Sequence, residues 1–459
     1  MNALLNKRAG MACTLCTALL LGACIQVDPE PDFDKARQWI EASTGRADAY
    51  DPSAEDLSAE RLNQILGDGL SLDEALHLAL NNNRELQAEF QEIGISHADW
   101  VQARLLSNPS LDLLLRFPSG GGRSMLEAIL GVELLEFWRI PARKEAARQE
   151  LEASVLRIAG SASRLVAETR NAYHGAVAAN EELLAAQENA QLAERSLQSV
   201  QELHNAGAAD AFDESQARGP WLAAELELRG ARIASANAKR ALAKKLSLRR
   251  NVDDLQLSDP LPLQIPATMD IEALVIKALA ARLDLRAIEA AVRALDAHVR
   301  LEERKAWGDA SAGPAIDRPA NSGGKLLGPS LSLTLPIFDQ NQAQVARAGF
   351  ELQKMVKLYA AAQIAITQDV RSAAERVNAA ANSLAFYDAE ILPHAESALS
   401  LVQQSYSAGG SKLDALIEAQ SQLLRTRSAH VSLRLEAAIA LSELGRVLGA
   451  PVLAAEADK

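Results

Sequence analysis

Carboxylates gather at two places in this 459-residue chain where helices are expected to turn back. Asp210, Asp213 and Glu214 stand at one, Asp414 and Glu418 at the other, with Tyr406 just ahead of the second. Such groups attract cations; equally, Asp213 and Glu214 could do no more than favour a helix N-terminus through the backbone dipole. No other residue set is arranged for chemistry. The seven histidines, at positions 77, 97, 174, 204, 298, 394 and 430, show no ligand spacing, so no metal site is expected. No G-x-S-x-G, Walker A or paired catalytic carboxylate signature is present. The chain therefore reads as a non-enzyme with no cofactor, unable to energise transport by itself. Its net charge of −13, from 47 Lys+Arg against 60 Asp+Glu, disfavours nucleic acid as a partner.

The N-terminus carries the most specific local signal. Lys7 and Arg8 precede an apolar segment, residues 11–21, which ends in Leu21-Gly22-Ala23-Cys24. A basic start, a short apolar run and small residues before a cleavage point describe an export signal. The run is too short to span a bilayer stably. The tetrapeptide resembles the lipobox of bacterial lipoproteins, which implies removal of residues 1–23 and acylation of Cys24. Ile25 rather than Asp after that cysteine points to the outer membrane. Cys13 and Cys16 fall inside the signal, so their C-x-x-C spacing has no redox or metal meaning, and Cys24 is left with no disulfide partner.

The elements that would position the acidic turns follow in order. Residues 24–69, broken by Pro29, Pro31 and Pro52, read as a lipid-tethered extended leader with short helices and no core of its own. Ser71 and Glu74 have capping-box spacing ahead of a helix to about residue 106. Leu111, Leu113, Leu115 and Phe117 then alternate with polar neighbours, and so do Leu126, Ala128, Leu130, Val132 and Leu134. These segments, 110–117 and 126–134, suit tilted transmembrane strands. Nothing after residue 24 approaches an 18-residue apolar run, which excludes a transmembrane helix. Residues 141–203 lack proline after the first and would form a helix of about 90 Å at 1.5 Å per residue. A second helix over 213–248 should kink at Gly219-Pro220.

After Pro260, Pro262 and Pro266 the pattern repeats. Glu74 corresponds to Glu272, Phe137 to Phe338, and Gly207 to Gly409, offsets that stay near 200 across the chain. That is an internal duplication, giving repeats over 70–259 and 260–450 and a tail over 451–459. Each half reads helix, strand, strand, long helix, shorter helix. Residues 330–337 form the last strand, Ser311 to Asp317 a faint third one. In the second long helix Val345, Leu352, Met355, Tyr359, Ala362, Ile366, Val370, Ala373, Val377, Ala380 and Leu384 make a coiled-coil seam.

Taken in this order, these features resemble the TolC-like outer membrane factors, the exit ducts of bacterial tripartite efflux and secretion systems. The residues that carry the resemblance are Leu335-Pro336-Ile337-Phe338-Asp339, Leu392-Pro393, Tyr406-Ser407-Ala408-Gly409 and Leu416-Ile417-Glu418-Ala419-Gln420. With the duplication they cover about residues 70–450. The resemblance implies a mainly α fold with a transmembrane β-barrel part: a long coiled-coil α-barrel, and four strands per chain closing as a homotrimer into a twelve-stranded barrel. Closure is independently required, since unpaired backbone groups in hydrocarbon cost several kcal/mol each and four strands enclose no usable lumen. The first repeat departs from the pattern, with Leu135-Glu136-Phe137-Trp138 where the second has Pro336-Ile337-Phe338-Asp339. Pro336, Phe338 and Phe137 thus mark the strand-to-helix turns, with proline in one of them.

The same resemblance places the two acidic turns farthest from the barrel. Asp414, Glu418, Tyr406, Asp210 and Asp213 become candidates for a periplasmic gate, Glu418 standing where the family commonly has Asp. Three copies of these carboxylates would ring a pore and bias it toward cations. Tyr406 would hydrogen-bond across the closed tip or simply pack. The expected function is a passive outer membrane exit channel of a tripartite efflux system for small toxic compounds or metal ions. Its expected partners are a periplasmic adaptor (membrane fusion) protein, an inner-membrane transporter of RND or ABC type, and outer membrane lipid. The duct of a type I protein secretion system, or a periplasmic coiled-coil scaffold without a pore, are the alternatives.

Overall fold

Long runs of helix formers with few breakers dominate the sequence, and the computed structural model is correspondingly helical. It describes residues 27–54, 57–67, 69–117, 119–120, 123–262, 269–319, 324–408 and 410–451, so Cys24 lies outside the described residues. In the first half α1 (Glu30–Thr44), α2 (Ala59–Ile65), α3 (Leu72–Asn82) and α4 (Arg84–Arg104) precede β1 (Ser110–Arg116), β2 (Met125–Glu133), α5 (Glu136–Asn205) and α6 (Ala211–Lys245). The second half has α7 (Ile271–Ala281), α8 (Leu283–Lys305), β3 (Ala310–Arg318), β4 (Leu326–Leu333) and α9 (Gln342–Phe386). A π-helical turn (Tyr387–Ile391), α10 (Leu392–Ser407) and α11 (Leu413–Leu448) complete it.

Several expectations are corrected. The helix expected from Ser71 to about residue 106 is broken at Asn83, whose backbone leaves the helical region at ψ 114. Its Oδ1 accepts from Leu86 N at 3.0 Å while its Nδ2 donates to Lys245 O at 2.8 Å. One carboxamide thus starts α4 and satisfies a carbonyl at the end of α6, two ends that a helix cannot satisfy from within. Arg282 makes the equivalent break between α7 and α8. The second long helix is also interrupted. Pro393 has no N–H and its ring crowds the carbonyl four residues back; the chain widens into a π turn in which Leu392 N donates to Tyr387 O. The leader is not extended either. Ala36 and Ile40 of α1 are fully buried, Tyr50 packs edge-on against Phe90 at 5.5 Å, and Arg46 donates to Asp73 at 2.5 Å.

The chain divides into two compact units. One combines the described residues up to Asp34 with Glu92–Glu152 and Arg293–Leu352; the other combines Lys35–Gln91, Ala153–Val292 and the described residues from Gln353 onward. The second unit contains two cores that mirror the duplication. Leu78, Tyr173, Leu242 and Leu246 join α3, α5 and α6 in one; Val275, Leu285, Ile366, Val370 and Leu444 join α7, α8, α9 and α11 in the other. Each such side chain contributes about 1.5–3 kcal/mol on burial. Every seam position expected along the second long helix is buried or half-buried.

The first unit holds one antiparallel sheet in the order β1-β2-β3-β4. The first two strands lie within a residue of their expected limits, but β4 is Leu326–Leu333 and not 330–337. Its paired residues end at Leu333↔Ala310; one more bond, from Thr334 N to Asp309 O at 2.9 Å, follows before the chain turns away at Gly308, and Pro336 has no donor to extend a ladder. β3 was faint in sequence because it is Ala-Ser-Ala-Gly-Pro-Ala-rich, and Pro314 and Gly313 are skipped in the β2–β3 pairing. A Cβ on Gly313 would stand 1.6 Å from Leu130 O, so this crossing requires glycine.

Candidate functional site

Strand register decides what each face of the sheet can do. One face carries Leu111, Leu113 and Leu115 from β1, paired with Leu130, Ala128 and Leu126 of β2. It continues through Ile316 and Ala312 of β3 to Leu327, Leu331 and Leu333 of β4. Leu111, Leu113, Leu327 and Leu331 are all more than 60% exposed. The opposite face carries Asp112, Glu127, Glu133, Asp317, Ser330 and Ser332, with Arg116 the cation among them. Glu127 and Asp317 stand directly opposite each other, an arrangement that repels in a closed sheet and is tolerable against water or a cation. The leucine face is apolar but for Arg318 at one end, and the other face is mixed, with Leu114, Ile129, Ala315 and Leu326 among its polar groups; an apolar outer and a more polar inner surface are what a membrane barrel presents.

Below the strands a polar lock fixes the strand-to-helix turns. Gly308 has φ +71, and a Cβ there would meet Thr334 O at 2.6 Å, so the β3 start and β4 end approach through glycine. Arg139 of α5 pairs with Asp309 at 2.7 Å and also donates to Gly308 O. Arg143 of α5 holds the α4 end through Leu105 O at 2.7 Å and pairs with Glu136 of its own helix at 2.9 Å. In the second repeat Asn341, at φ +60, donates to Glu302 Oε2 at 2.7 Å. Burial works against the Glu302 charge, but hydrogen bonds from Lys305 and Asn341 outweigh it and hold the carboxyl below its ordinary value. Of the residues expected at these turns, Phe338 is 92% exposed and Phe137 is exposed too. Pro336 sits in the connection over residues 334–341, beside a hydrogen bond from Ile337 N to Leu335 O. The first repeat makes its turn in two residues, which leaves no room for an equivalent proline. The lock residues Arg139, Arg143 and Asn341 were missed because a lone Arg or Asn near a turn has no motif.

The acidic turns divide in their behaviour. Asp210 is the N-cap of α6, accepting from Phe212 N and Asp213 N at 2.9 Å, and Asp213 accepts from Asp210 N at 3.0 Å. This is a complete capping box, so both carboxylates serve their own helix. Glu214 accepts from Gln201 of α5 at 3.1 Å. Tyr406 is exposed in the last turn of α10. Asp414 falls in the first turn of α11, its side chain outside the described residues. Glu418 pairs with Arg425 of its own helix at 2.7 Å, both well exposed. These two line a polar groove of about 640 Å³ between α5, α6 and α11, with Glu182, Asn189 and Glu227 on the facing helices. The structure therefore groups Glu418 with residues that the turn-centred reading passed over, and leaves Asp210 and Asp213 outside that groove. Among the described residues, no group of three or more His, Cys, Asp or Glu side chains is placed to hold a metal, and no helix is long and apolar enough to cross a membrane.

Residues 75–247 and 274–450, one stretch in each half, match the family described as Outer membrane efflux protein. The chain belongs to that family. As an outer membrane efflux protein it is a channel component and not an enzyme, located in the outer membrane with a long periplasmic helical extension. It is similar to the cobalt-zinc-cadmium resistance protein CzcC of Cupriavidus metallidurans, 26% identical over 390 residues, covering 83% of this chain and 90% of CzcC. Among solved structures it resembles the Campylobacter jejuni CmeC outer membrane channel, with a TM-score of 0.70 and 16% identity over 93% of both chains. The open state of the Neisseria gonorrhoeae MtrE outer membrane channel matches with a TM-score of 0.66 and 23% identity, over 82% of this chain and 88% of MtrE. The α-barrel and β-barrel architecture is that of these channels.

Proposed function

We propose that this efflux protein is the passive exit duct of a tripartite pump for divalent metal ions, three copies closing one twelve-stranded barrel. The observation that carries the proposal is the open sheet. β1 and β4 are each paired on one side only, and the apolar face across all four strands is exposed. Edges and leucines of this kind are tolerated in a bilayer when further copies complete the ring. The inward face, with Asp112, Glu127, Glu133 and Asp317 against Arg116, favours cations, and the similarity to CzcC supports metals as cargo. A periplasmic adaptor and an inner-membrane transporter of RND or ABC type supply the energy, and acylation of Cys24 anchors the chain.

Asp414 and Glu418 provide the cation-biased constriction in this reading, with Arg425 as the counter-charge that tunes Glu418. Heat-modifiable trimers in outer membrane fractions and pores in planar bilayers are expected; a monomer without conductance refutes the duct. Asp414→Ala and Glu418→Ala should lower cation preference and Arg425→Ala should raise it, and unchanged selectivity in all three removes the constriction. A deletion strain should become sensitive to zinc, cobalt or cadmium; sensitivity confined to dyes and antibiotics overturns the cargo. Loss of palmitate labelling in Cys24→Ser tests the anchor.

A further inference from the structure

The first repeat carries a charge cluster that the second lacks. Arg84, Arg240, Lys244, Arg249 and Arg250, all exposed, line a groove of about 790 Å³ where the α3–α4 break meets the end of α6. Leu57, Leu62, Leu248 and Val252 form its apolar lining. Five cations in one groove are unexpected on a chain of net charge −13. Arg240 holds Asp253 at 2.9 Å, Arg84 donates to Gln87 and Arg250 to Asn63. Lys244 and Arg249 have no ion pair among the described residues.

Cations near a helix C-terminus are ordinary, because they oppose its dipole. The duplication shows that the fold does not demand these. Ser247 and Gly449 occupy the same left-handed position after α6 and α11, at φ 51 and φ 63. Counting back from them, Arg240 and Lys244 correspond to Ser442 and Arg446, and counting forward, Arg249 corresponds to Pro451. Arg84, the first residue after the helix break, corresponds to Leu283. The second repeat therefore keeps one cation of these four, Arg446, and neutralises it with Glu443 at 2.6 Å. The same helix ends form there without the cluster.

We propose that this groove binds the acidic stem peptides of peptidoglycan, fastening the periplasmic part of the channel to the cell wall. Charge complementarity selects a polycarboxylate. The groove has room for a few residues of extended peptide, and its leucine and valine lining suits the short alkyl side chains of such a peptide. The family's helical extension stands in the periplasm, where the wall is the abundant carboxylate polymer. Phosphate-bearing lipid at the outer membrane and an acidic segment of a protein partner are the competing occupants.

The test is co-sedimentation of the full-length, detergent-solubilised protein with insoluble peptidoglycan sacculi at about 0.1 M salt. Lys244→Gln/Arg249→Gln/Arg250→Gln should raise the concentration for half-saturation by about threefold or more, since three exposed charge contacts are lost. Arg229→Gln/Arg347→Gln/Arg371→Gln, an equal charge loss outside the groove, should leave it unchanged. Soluble stem peptides released by an amidase should compete with the sacculi, whereas the glycan strands freed of them should not. Equal binding by wild type and the groove variant, competition by the glycan strands but not by the peptides, or binding confined to anionic-lipid vesicles or to an acidic protein segment each overturns the proposal. Arg249→Glu alone, at a side chain with no ion pair among the described residues, repeats the test should the triple variant melt early.

Discussion

His174 makes the stability of this channel depend on pH in a direction that can be worked out in advance. It lies in α5, is 8% exposed, and its Nδ1 has no hydrogen-bond partner among the described residues. Burial first, then the neighbouring Arg170 guanidinium, push its pKa from 6.5 to about 4, with Asp259 opposing the shift. An unfolded chain takes up this proton near pH 6.5 and the folded chain near pH 4. Between those values the unfolded state binds more protons, so stability falls as pH falls, and above pH 6.5 nothing is lost. At about 1.4 kcal/mol per pH unit, roughly 2 kcal/mol per chain is lost at pH 5 and roughly 3 kcal/mol below pH 4. Thermal melts of the solubilised protein from about pH 7.5 to about pH 4.5 provide the measurement. Carboxylates titrate in that range too, but equally in His174→Gln, so the difference between the curves isolates the histidine. Wild type should lose a few degrees more than the variant at the acid end; parallel curves refute the argument.

Three further outcomes follow from packing. Tyr173→Phe leaves the half-buried Asp259 N, now 3.0 Å from the Tyr173 hydroxyl, without that acceptor, and melts should show a loss of about 1 kcal/mol; Leu70 O keeps its bond from Ser258 N and adds little. Ile366→Ala, at a core position 2% exposed, should cost about 2–5 kcal/mol per chain, read from the same melts, whereas Ile364→Ala, 67% exposed, should cost far less in the monomer core. Gly313→Val cannot be accommodated beside Leu130 O, so heat-modifiable oligomers should disappear from outer membrane fractions while helical signal in the soluble fraction persists.

The helices were legible because their signals are local. Ser71 and Glu74 form the capping box that their spacing implies, with Ser71 N donating to Glu74 at 2.9 Å, and the second long helix buries the stripe that its period of sevens, threes and fours marks out. What was not legible depends on pairs far apart in sequence. Asn83 interrupts a good helix because Lys245 O, 162 residues away, needs a donor. β4 ends soon after Leu333 because the chain ahead of β3 turns away at Gly308, φ +71, leaving one last bond from Thr334 N to Asp309 O at 2.9 Å, although the alternation of Leu335 and Ile337 continues. Glu418 was found and Arg425 was not, since the partner lies seven residues on in a helix full of charges.

The duplication is the reason these distant terms can be separated from the fold itself. Two repeats with one plan were built under the same packing demands, so whatever both share is owed to those demands. Both break the first helix, at Asn83 and Arg282, and both cover the broken end with the last helix of the repeat. What they do not share is free to serve something else. The first repeat turns from strand to helix in two residues and the second needs residues 334–341, so Pro336 answers to the longer path and not to the turn as such. The second repeat interrupts its long helix with the π turn at Tyr387–Ile391 before Pro393, where the Tyr387 ring stacks on His430 at 5.9 Å, while the first runs unbroken for 70 residues. An unbroken α5 beside an interrupted α9–α10 gives the two hairpins different stiffness, and movement at the acidic turns is expected on the side of Asp414 and Glu418. Asp210 and Asp213, bound into their capping box on the stiff hairpin, are placed to stay still.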